Sequence, residues 1–295
     1  MKQIGFIGVG IMGKSMVRNL MKAGYELHIY ARTKAKVEDV ISEGAVFHET
    51  IAECVKGREA VITIVGFPQD VEEVYFDSGN ILDSAEPGAY LIDMTTTSPM
   101  LAEKLYEEGK KRGFHVLDAP VTGGDTGAKA GTLSILVGGD REDYEACHEL
   151  FEAIGTNINY EGKAGCGQHC KLANQIMIAG TLSGVCEALT YAKEKGLDLN
   201  TFFESVSTGA AGSKQFDTFA PKIIAGDYAP GFFMKHFIKD MKLALIEANR
   251  SGIDLGVLSQ VLANYEELEA EGYGELGTQA LMKFYDEEHR FVEEE

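Results

Sequence analysis

Short apolar runs separated by amphipathic stretches set the rhythm of residues 1 to about 162. QIGFIG (3–8), ELHIYA (26–31), AVITIV (60–65), YLIDM (90–94) and HVLDAP (115–120) each offer apolar side chains to both faces of a strand, and TLSILVGG (132–139) and NINYEG (157–162) follow. Strands apolar on both faces, alternating with helical patterns, predict a parallel sheet covered by helices. The rhythm then stops. No proline occurs from Pro120 to Pro221, and QHCKLANQIMIAGTLSGVCEALTYAKEKGLD reads as one long helix that Gly196 should end. TFFESVS, KHFIKDMKLALIEANRSG and the glutamate-rich stretch 258–271 continue as helical patterns without a strand. The expected fold class is α/β, with a doubly wound domain over 1–162, a long interdomain helix over 163–196 and an all-helical domain over 197–295. The tail DEEHRFVEEE reads as a solvated end.

A chain of 295 residues is long enough for two ordinary domains with substantial cores. Its formal net charge of −19 argues against binding a nucleic-acid backbone. A small anionic ligand is still allowed, provided its pocket supplies local cations or backbone N–H groups. No unbroken apolar run reaches the roughly eighteen residues of a membrane span. The opening MKQIGFIGVG enters a strand pattern at once, without a basic leader and cleavage site. A cytoplasmic protein with no membrane partner is therefore expected. Five scattered cysteines, Cys54, Cys147, Cys166, Cys170 and Cys186, suit free thiols in a reducing compartment. Cys166, His169 and Cys170 supply only three ligands, with no second pair at a zinc spacing, so no metal is expected.

Candidate chemistry begins at the first turn. Gly8, Gly10 and Gly13 stand in G-x-G-x-x-G spacing, after a strand and at the start of a helix. Three glycines there serve a tight turn, close approach to a pyrophosphate, and helix-on-strand packing. Gly8, Val9, Gly10, Ile11, Met12 and Gly13 are thus expected to hold a dinucleotide on free helix N–H groups, which makes the first domain Rossmann-type. The end of the second strand, where an acid would hold the ribose hydroxyls of NAD, carries Arg32 and Thr33, with Lys36 one turn later. Cations and a hydroxyl at that place predict NADP, with NAD possible. Val65 and Gly66 lie at the same carboxyl edge and are expected near the nucleotide.

Two further stretches draw notice. Thr122-Gly123-Gly124 offers a hydroxyl and unobstructed glycine N–H groups, a loop able to hold a carboxylate or simply to turn. Lys171 stands three residues before Asn174, so both leave one helix face. On its own that pair reads first as an exposed lysine beside an amide.

GFIGVGIMG, DMTTTSP, DAPVTGG, GCGQHCKLANQ and FIKDM, in that order over residues 1 to about 241, resemble the β-hydroxyacid dehydrogenase family, the relatives of 3-hydroxyisobutyrate dehydrogenase, tartronate semialdehyde reductase and glyoxylate/succinic semialdehyde reductase. The resemblance implies that Lys171 is the catalytic acid/base and Asn174 orients the substrate. It implies that Thr122, Gly123 and Gly124 grip the substrate carboxylate, although the family normally has Ser where Thr122 stands. Thr96 and Lys239 would lie at the nicotinamide end, and Phe232 and Asp240 would line the pocket. Reducing an aldehyde builds negative charge on oxygen, so a proton donor must stand within hydrogen-bond reach. A lysine buried near a second cation suits that task, and Lys239 is the candidate cation. The related 6-phosphogluconate dehydrogenases carry a glutamate seven residues after the lysine; Ile178 stands there, which implies hydride transfer without loss of CO2.

The expected function is therefore NADP-dependent interconversion of a short carboxylate-bearing aldehyde or keto acid, glyoxylate or succinic semialdehyde first, and its hydroxy acid. The alternatives are 3-hydroxyisobutyrate or tartronate semialdehyde chemistry, and, remotely, a catalytically silent NADP-binding interaction module. Gly180 and Gly184, mid-span in the long helix, together with the habit of the family, imply a homo-dimer or homo-tetramer.

Overall fold

The computed structural model describes residues 1–285, so the reading of the tail DEEHRFVEEE lies outside the described residues. The strands are β1 (Gln3–Ile7), β2 (Glu26–Tyr30), β3 (Val46–Phe47), β4 (Ala60–Thr63), β5 (Tyr90–Asp93), β6 (His115–Asp118), β7 (Val121–Thr122), β8 (Leu133–Gly139) and β9 (Gly155–Gly162). Helices α1 (Ile11–Lys22), α2 (Glu38–Ser42), α3 (Ile51–Val55), α4 (Pro68–Phe76), α5 (Ile81–Ser84), α6 (Pro99–Lys111), α7 (Gly124–Ala130) and α8 (Arg141–Glu152) lie among them. After these come α9 (Cys166–Glu194), α10 (Leu199–Ser207), α11 (Lys214–Ile224), α12 (Met234–Arg250) and α13 (Gly256–Ala270). The chain divides into two compact units, Met1–Lys171 and the residues from Leu172 onward, and the division falls inside α9.

In the first unit the sheet runs β3-β2-β1-β4-β5-β6, all parallel, with the order reversing direction at β1/β4. Strand alternation sorts neighbours onto two cores. Phe6, Ile62, Ile92 and Leu117 join Met16, Val17 and Leu20 of α1 on one face, while Ile7, Val61, Leu91 and Val116 join Val71, Tyr75 and Leu105 on the other. Both faces are dry because both are covered, as the apolar runs predict.

The far side of the sheet departs from the all-parallel expectation. β8 runs antiparallel to β6 and to β7, and parallel to β9. β6 and β7 are successive segments along one edge of β8, interrupted at Ala119-Pro120, because Pro120 has no N–H to give a ladder. β9 is also not the doubly buried strand its place in the rhythm suggests. It pairs with β8 alone and leaves Thr156, Asn157 and Asn159 exposed.

α9 ends as its glycine predicts. Gly196 has φ +73°, with Leu197 N–H donating to Ala192 C=O and Gly196 N–H to Lys193 C=O, both at 3.0 Å. By length and composition this helix could cross a membrane, a property that counting unbroken apolar runs does not register. Its Leu172, Ala179, Leu182, Cys186 and Leu189 are instead buried in the core of the second unit, with Phe216 and Ala220 of α11, Phe237 and Met241 of α12, and Val261 and Tyr265 of α13.

A buried polar chain ties strand ends of the first unit together. Thr63 Oγ1 donates to Asp93 Oδ1 at 2.8 Å, so the Tyr75 hydroxyl, 2.9 Å from Thr63 Oγ1, donates in turn. Burial pushes the Asp93 carboxyl up to about 6, against the hydrogen bonds from Thr95 and Thr63 that favour its charged form. The folded value lies above the ordinary ~3.9, so the contribution to stability is complete below about pH 4 and is lost as pH rises through 6. Asp93→Asn keeps the accepting oxygen and removes the titration. Its unfolding free energy relative to wild type is predicted to rise by up to about 3 kcal/mol from pH 4 to pH 7 in urea melts; a difference that does not change with pH would refute the assignment.

Candidate active site

The first unit gathers its expected residues at the carboxyl ends of the parallel strands. At Gly8 the backbone has φ +100°, and an added Cβ would come within 2.1 Å of Ile64 C=O. At Gly13 an added Cβ would come within 2.1 Å of Gly8 C=O. These two glycines are required by the fold itself, one for the turn where the sheet order reverses and one for packing α1 on that turn. Gly10 differs: a Cβ there would meet nothing within 4 Å. Gly10 is the N-cap of α1 and is followed by a first turn without an acid, so the leading N–H groups of the helix have neither a side-chain cap nor a local negative charge. This cradle fits a pyrophosphate. Ile11 is exposed, Met12 is half-buried and Val9 is buried, which leaves Val9 only its backbone to offer.

Arg32, Thr33 and Lys36 are all exposed just past β2. The Arg32 guanidinium, 73% exposed, lies 3.4 Å from Asp70 Oδ1, while Asp70 Oδ2 accepts the N–H of Phe67 at 3.0 Å. Asp70 thus stands where the second strand itself lacks an acid. Val65 and Gly66 follow β4, half-buried, and Val65 N–H donates to Thr95 Oγ1 at 3.0 Å. The three threonines after β5 now separate. Thr95 and Thr97 are buried, and Thr96 alone is partly accessible.

At the end of β7 Thr122 is half-buried, and after it Gly123 is exposed and Gly124 half-buried. Gly123 (φ +131°) and Gly124 (φ +63°) both adopt conformations that side chains disfavour, and an added Cβ at Gly124 would meet nothing within 4 Å.

The start of α9 is pinned to the ends of β5 and β6. The Asp118 carboxylate accepts the N–H of Gly165 at 2.8 Å and of Gln168 at 2.9 Å. Burial pushes that carboxyl up, and the backbone N–H groups pull it back. The Gln168 side chain donates to Thr95 C=O at 2.7 Å and accepts Thr97 N–H at 2.9 Å. One turn later comes Lys171, only 7% exposed. It is not a surface lysine.

The second unit holds Asn174, Lys239, Asp240 and Phe232. Asn174 Nδ2 donates to Gln175 Oε1 at 2.7 Å, and Gln175 Nε2 donates to Asp240 Oδ2 at 2.8 Å. Lys239 Nζ lies 2.9 Å from Asp240 Oδ1, an ion pair off the hydrogen-bond direction. Two expectations change. Asp240 has no exposed surface, so it holds Gln175 and Lys239 instead of lining a pocket. Lys239, expected as a second cation, has its charge offset by Asp240. Phe232 is half-buried, edge-on to Phe237 with ring centroids 6.1 Å apart. Reading the sequence alone missed Asp118 as a helix anchor, and it missed Gln168 and Gln175; the cue in each case was a polar residue inside an otherwise apolar or glycine-rich stretch. Among the described residues, no three His, Cys, Asp or Glu side chains are grouped as a metal ion would require.

The chain is similar to known proteins over both units. Residues 3–162 match the NAD binding domain of 6-phosphogluconate dehydrogenase, and residues 165–285 match the domain described as NAD-binding of NADP-dependent 3-hydroxyisobutyrate dehydrogenase. An uncharacterized oxidoreductase of Bacillus subtilis is 47% identical over 96% of this chain and 99% of its own. The 2-hydroxy-3-oxopropionate reductase of Escherichia coli is 34% identical over 95% of this chain and 96% of its own. The structure of Mycobacterium tuberculosis 3-hydroxyisobutyrate dehydrogenase with L-serine superposes with a TM-score of 0.88 at 27% identity, covering 97% of this chain and 99% of that one. With the phosphate cradle, the buried lysine and these matches spanning nearly its whole length, the chain belongs to the β-hydroxyacid dehydrogenase family, NAD(P)-dependent oxidoreductases acting on CH–OH groups.

Proposed function

We propose that this protein is an NADP-preferring reductase of a short, carboxylate-bearing aldehyde, working reversibly on the matching hydroxy acid with Lys171 as proton carrier. The observation that carries the reading is the burial of Lys171 one turn beyond an anchored helix start. A dinucleotide held by the glycine turn would supply the hydride in reduction and accept it in oxidation. Lys171 Nζ gives a proton to the substrate oxygen as negative charge builds there, and takes it back in the reverse direction. The N–H groups of Gly123 and Gly124, with the Thr122 hydroxyl, hold the carboxylate. Asn174, on the same helix face as Lys171, orients the substrate oxygen. Fixing the acid at its carboxylate sets the reacting carbon and contributes several kcal/mol, by the usual worth of positioning. Thr96, Lys239 and Phe232 remain assignments by resemblance. Ile178, packed against the core of the second unit, leaves no acid for decarboxylation at that position.

Arg32, Thr33 and Lys36 support NADP, because exposed cations and a hydroxyl stand where a 2′-phosphate would fall. Asp70 beside Arg32 opposes it and keeps NAD possible. Glyoxylate and succinic semialdehyde fit the NADP-like branch. A second reading is favoured by the names of the relatives: 2-hydroxy-3-oxopropionate and 3-hydroxyisobutyrate share a carboxylate one carbon away from the reacting carbon. The proposal includes a homo-dimer or homo-tetramer, supported by exposed Met177, Gly184 and Tyr191 along α9.

Initial rates on these four substrate pairs test the reading. Lys171→Ala is expected to lower kcat about 10²–10⁴-fold in both directions, whereas wild-type turnover in the variant would end the reading. Gly10→Val is expected to fold normally and to weaken NADPH binding roughly 10–100-fold, the worth of one or two lost hydrogen bonds to an anion; unchanged binding by fluorescence titration would show that the cradle holds no phosphate. Arg32→Ala is expected to raise the KM for NADPH about 10–100-fold and leave that for NADH nearly unchanged. Equal effects on both cofactors would remove the NADP preference.

A further inference from the structure

Gln168 has no exposed surface, and both ends of its amide are hydrogen-bonded. Nε2 donates to Thr95 C=O at 2.7 Å, and Oε1 accepts Thr97 N–H at 2.9 Å. Its own N–H donates to Asp118 Oδ2 at 2.9 Å. Thr95 is fixed from the other side as well, its N–H on Asp93 Oδ1 at 3.1 Å and its Oγ1 on Val65 N–H at 3.0 Å. One side chain therefore joins the loop after β5 to the first turn of α9 and straddles Thr96. On the helix, Lys171 is the i+3 neighbour of Gln168, so the two side chains leave the same face about 5–6 Å apart at Cβ.

We propose that Gln168 is a positioning residue for the reaction, setting Lys171 against the Thr96 loop. The inference rests on the reading of Lys171 as proton carrier and of Thr96 as a residue at the nicotinamide end. Chemistry explains why an amide is needed. The loop presents a carbonyl and an N–H, so the bridging group must donate and accept at once. A carboxylate of the same length would accept from Thr97 but oppose Thr95 C=O. An apolar side chain would leave both backbone groups buried and unpaired. With the clamp gone, α9 keeps its anchor on Asp118, so the helix survives while its rotation and height relative to Thr96 are released.

The test compares Gln168→Met, which loses both bonds at similar length, with Gln168→Glu, which keeps only the acceptor. The readouts are kcat and KM for the aldehyde acid that the wild type reduces fastest, the NADPH Kd by fluorescence titration, and the isotope effect on kcat with NADPH deuterated at the transferred position. In Gln168→Met, kcat is expected to fall about 10–100-fold, the cost of a misplacement near 1 Å, with the NADPH Kd within about threefold of wild type. Gln168→Glu, which sets a carboxylate against Thr95 C=O, is expected to fall at least as far, and the isotope effect to rise in both, because a displaced Lys171 slows chemistry. Wild-type kcat and isotope effect in a protein that is merely less stable would overturn the inference, as would a loss confined to NADPH binding. Should Gln168→Met fail to fold, Gln168→Glu carries the test on the same readouts. Lys171→Ala measured alongside separates the two layers. Inactive Lys171→Ala with wild-type Gln168 variants overturns only the positioning role, whereas active Lys171→Ala overturns the underlying reading and the inference with it.

Discussion

The start of α9, and with it the place of Lys171, depends on one carboxylate meeting one helix start. Asp118, at the end of β6, accepts N–H groups from Gly165 and Gln168. A negative charge there also faces the positive end of a 29-residue helix, which offsets part of the cost of burying it. The contact is possible only because Gly167 has no side chain: a Cβ there would come within 2.3 Å of Leu136 C=O. From that anchor the helical period fixes where Gln168, Lys171, Asn174 and Gln175 point.

Two glutamines, seven residues apart and so on one face, mark the polar part of α9. Gln168 ties the helix to the loop after β5 within the first unit, and Gln175 ties it to Asp240 of α12 within the second. Each uses donor and acceptor together, which is how a buried amide avoids the cost of an unpaired polar atom. Lys171 and Asn174 lie inside this bracket. Asp240 belongs to the same logic: fully buried, it orients Gln175 and Lys239 through its two oxygens.

What could be read from the sequence divides along a physical line. Features set by local pattern were legible: strands apolar on both faces, the glycine turn before α1, and the Gly196 stop of α9. β3 and β7, two residues each, are too short to leave a periodic trace, and they exist because a neighbouring strand offers a free edge. The asparagines of β9 mark an open face, and only its pairing with β8 alone shows that it lies at the edge. The site divided likewise. Candidate motif residues could be named by spacing and resemblance, whereas the partners of Gln168, Asp118 and the Gln175 amide N–H lie 47 to 73 positions away and follow no local rule. The same limit explains Arg32: its sequence position suggests a free cation, and only the fold brings Asp70 to it.

The central claim is that one buried lysine carries the proton in both directions. The most direct measurement is kcat/KM against pH for reduction and for oxidation, in wild type and in Lys171→Ala. A single acid/base predicts mirrored limbs: reduction weakens as pH rises and the donor is lost, and oxidation weakens as pH falls and the acceptor is protonated. Both limbs should vanish in the variant, leaving slow, pH-independent rates. If the limbs persist in Lys171→Ala, another group moves the proton, and the account of α9 as the carrier of the catalytic residue is wrong.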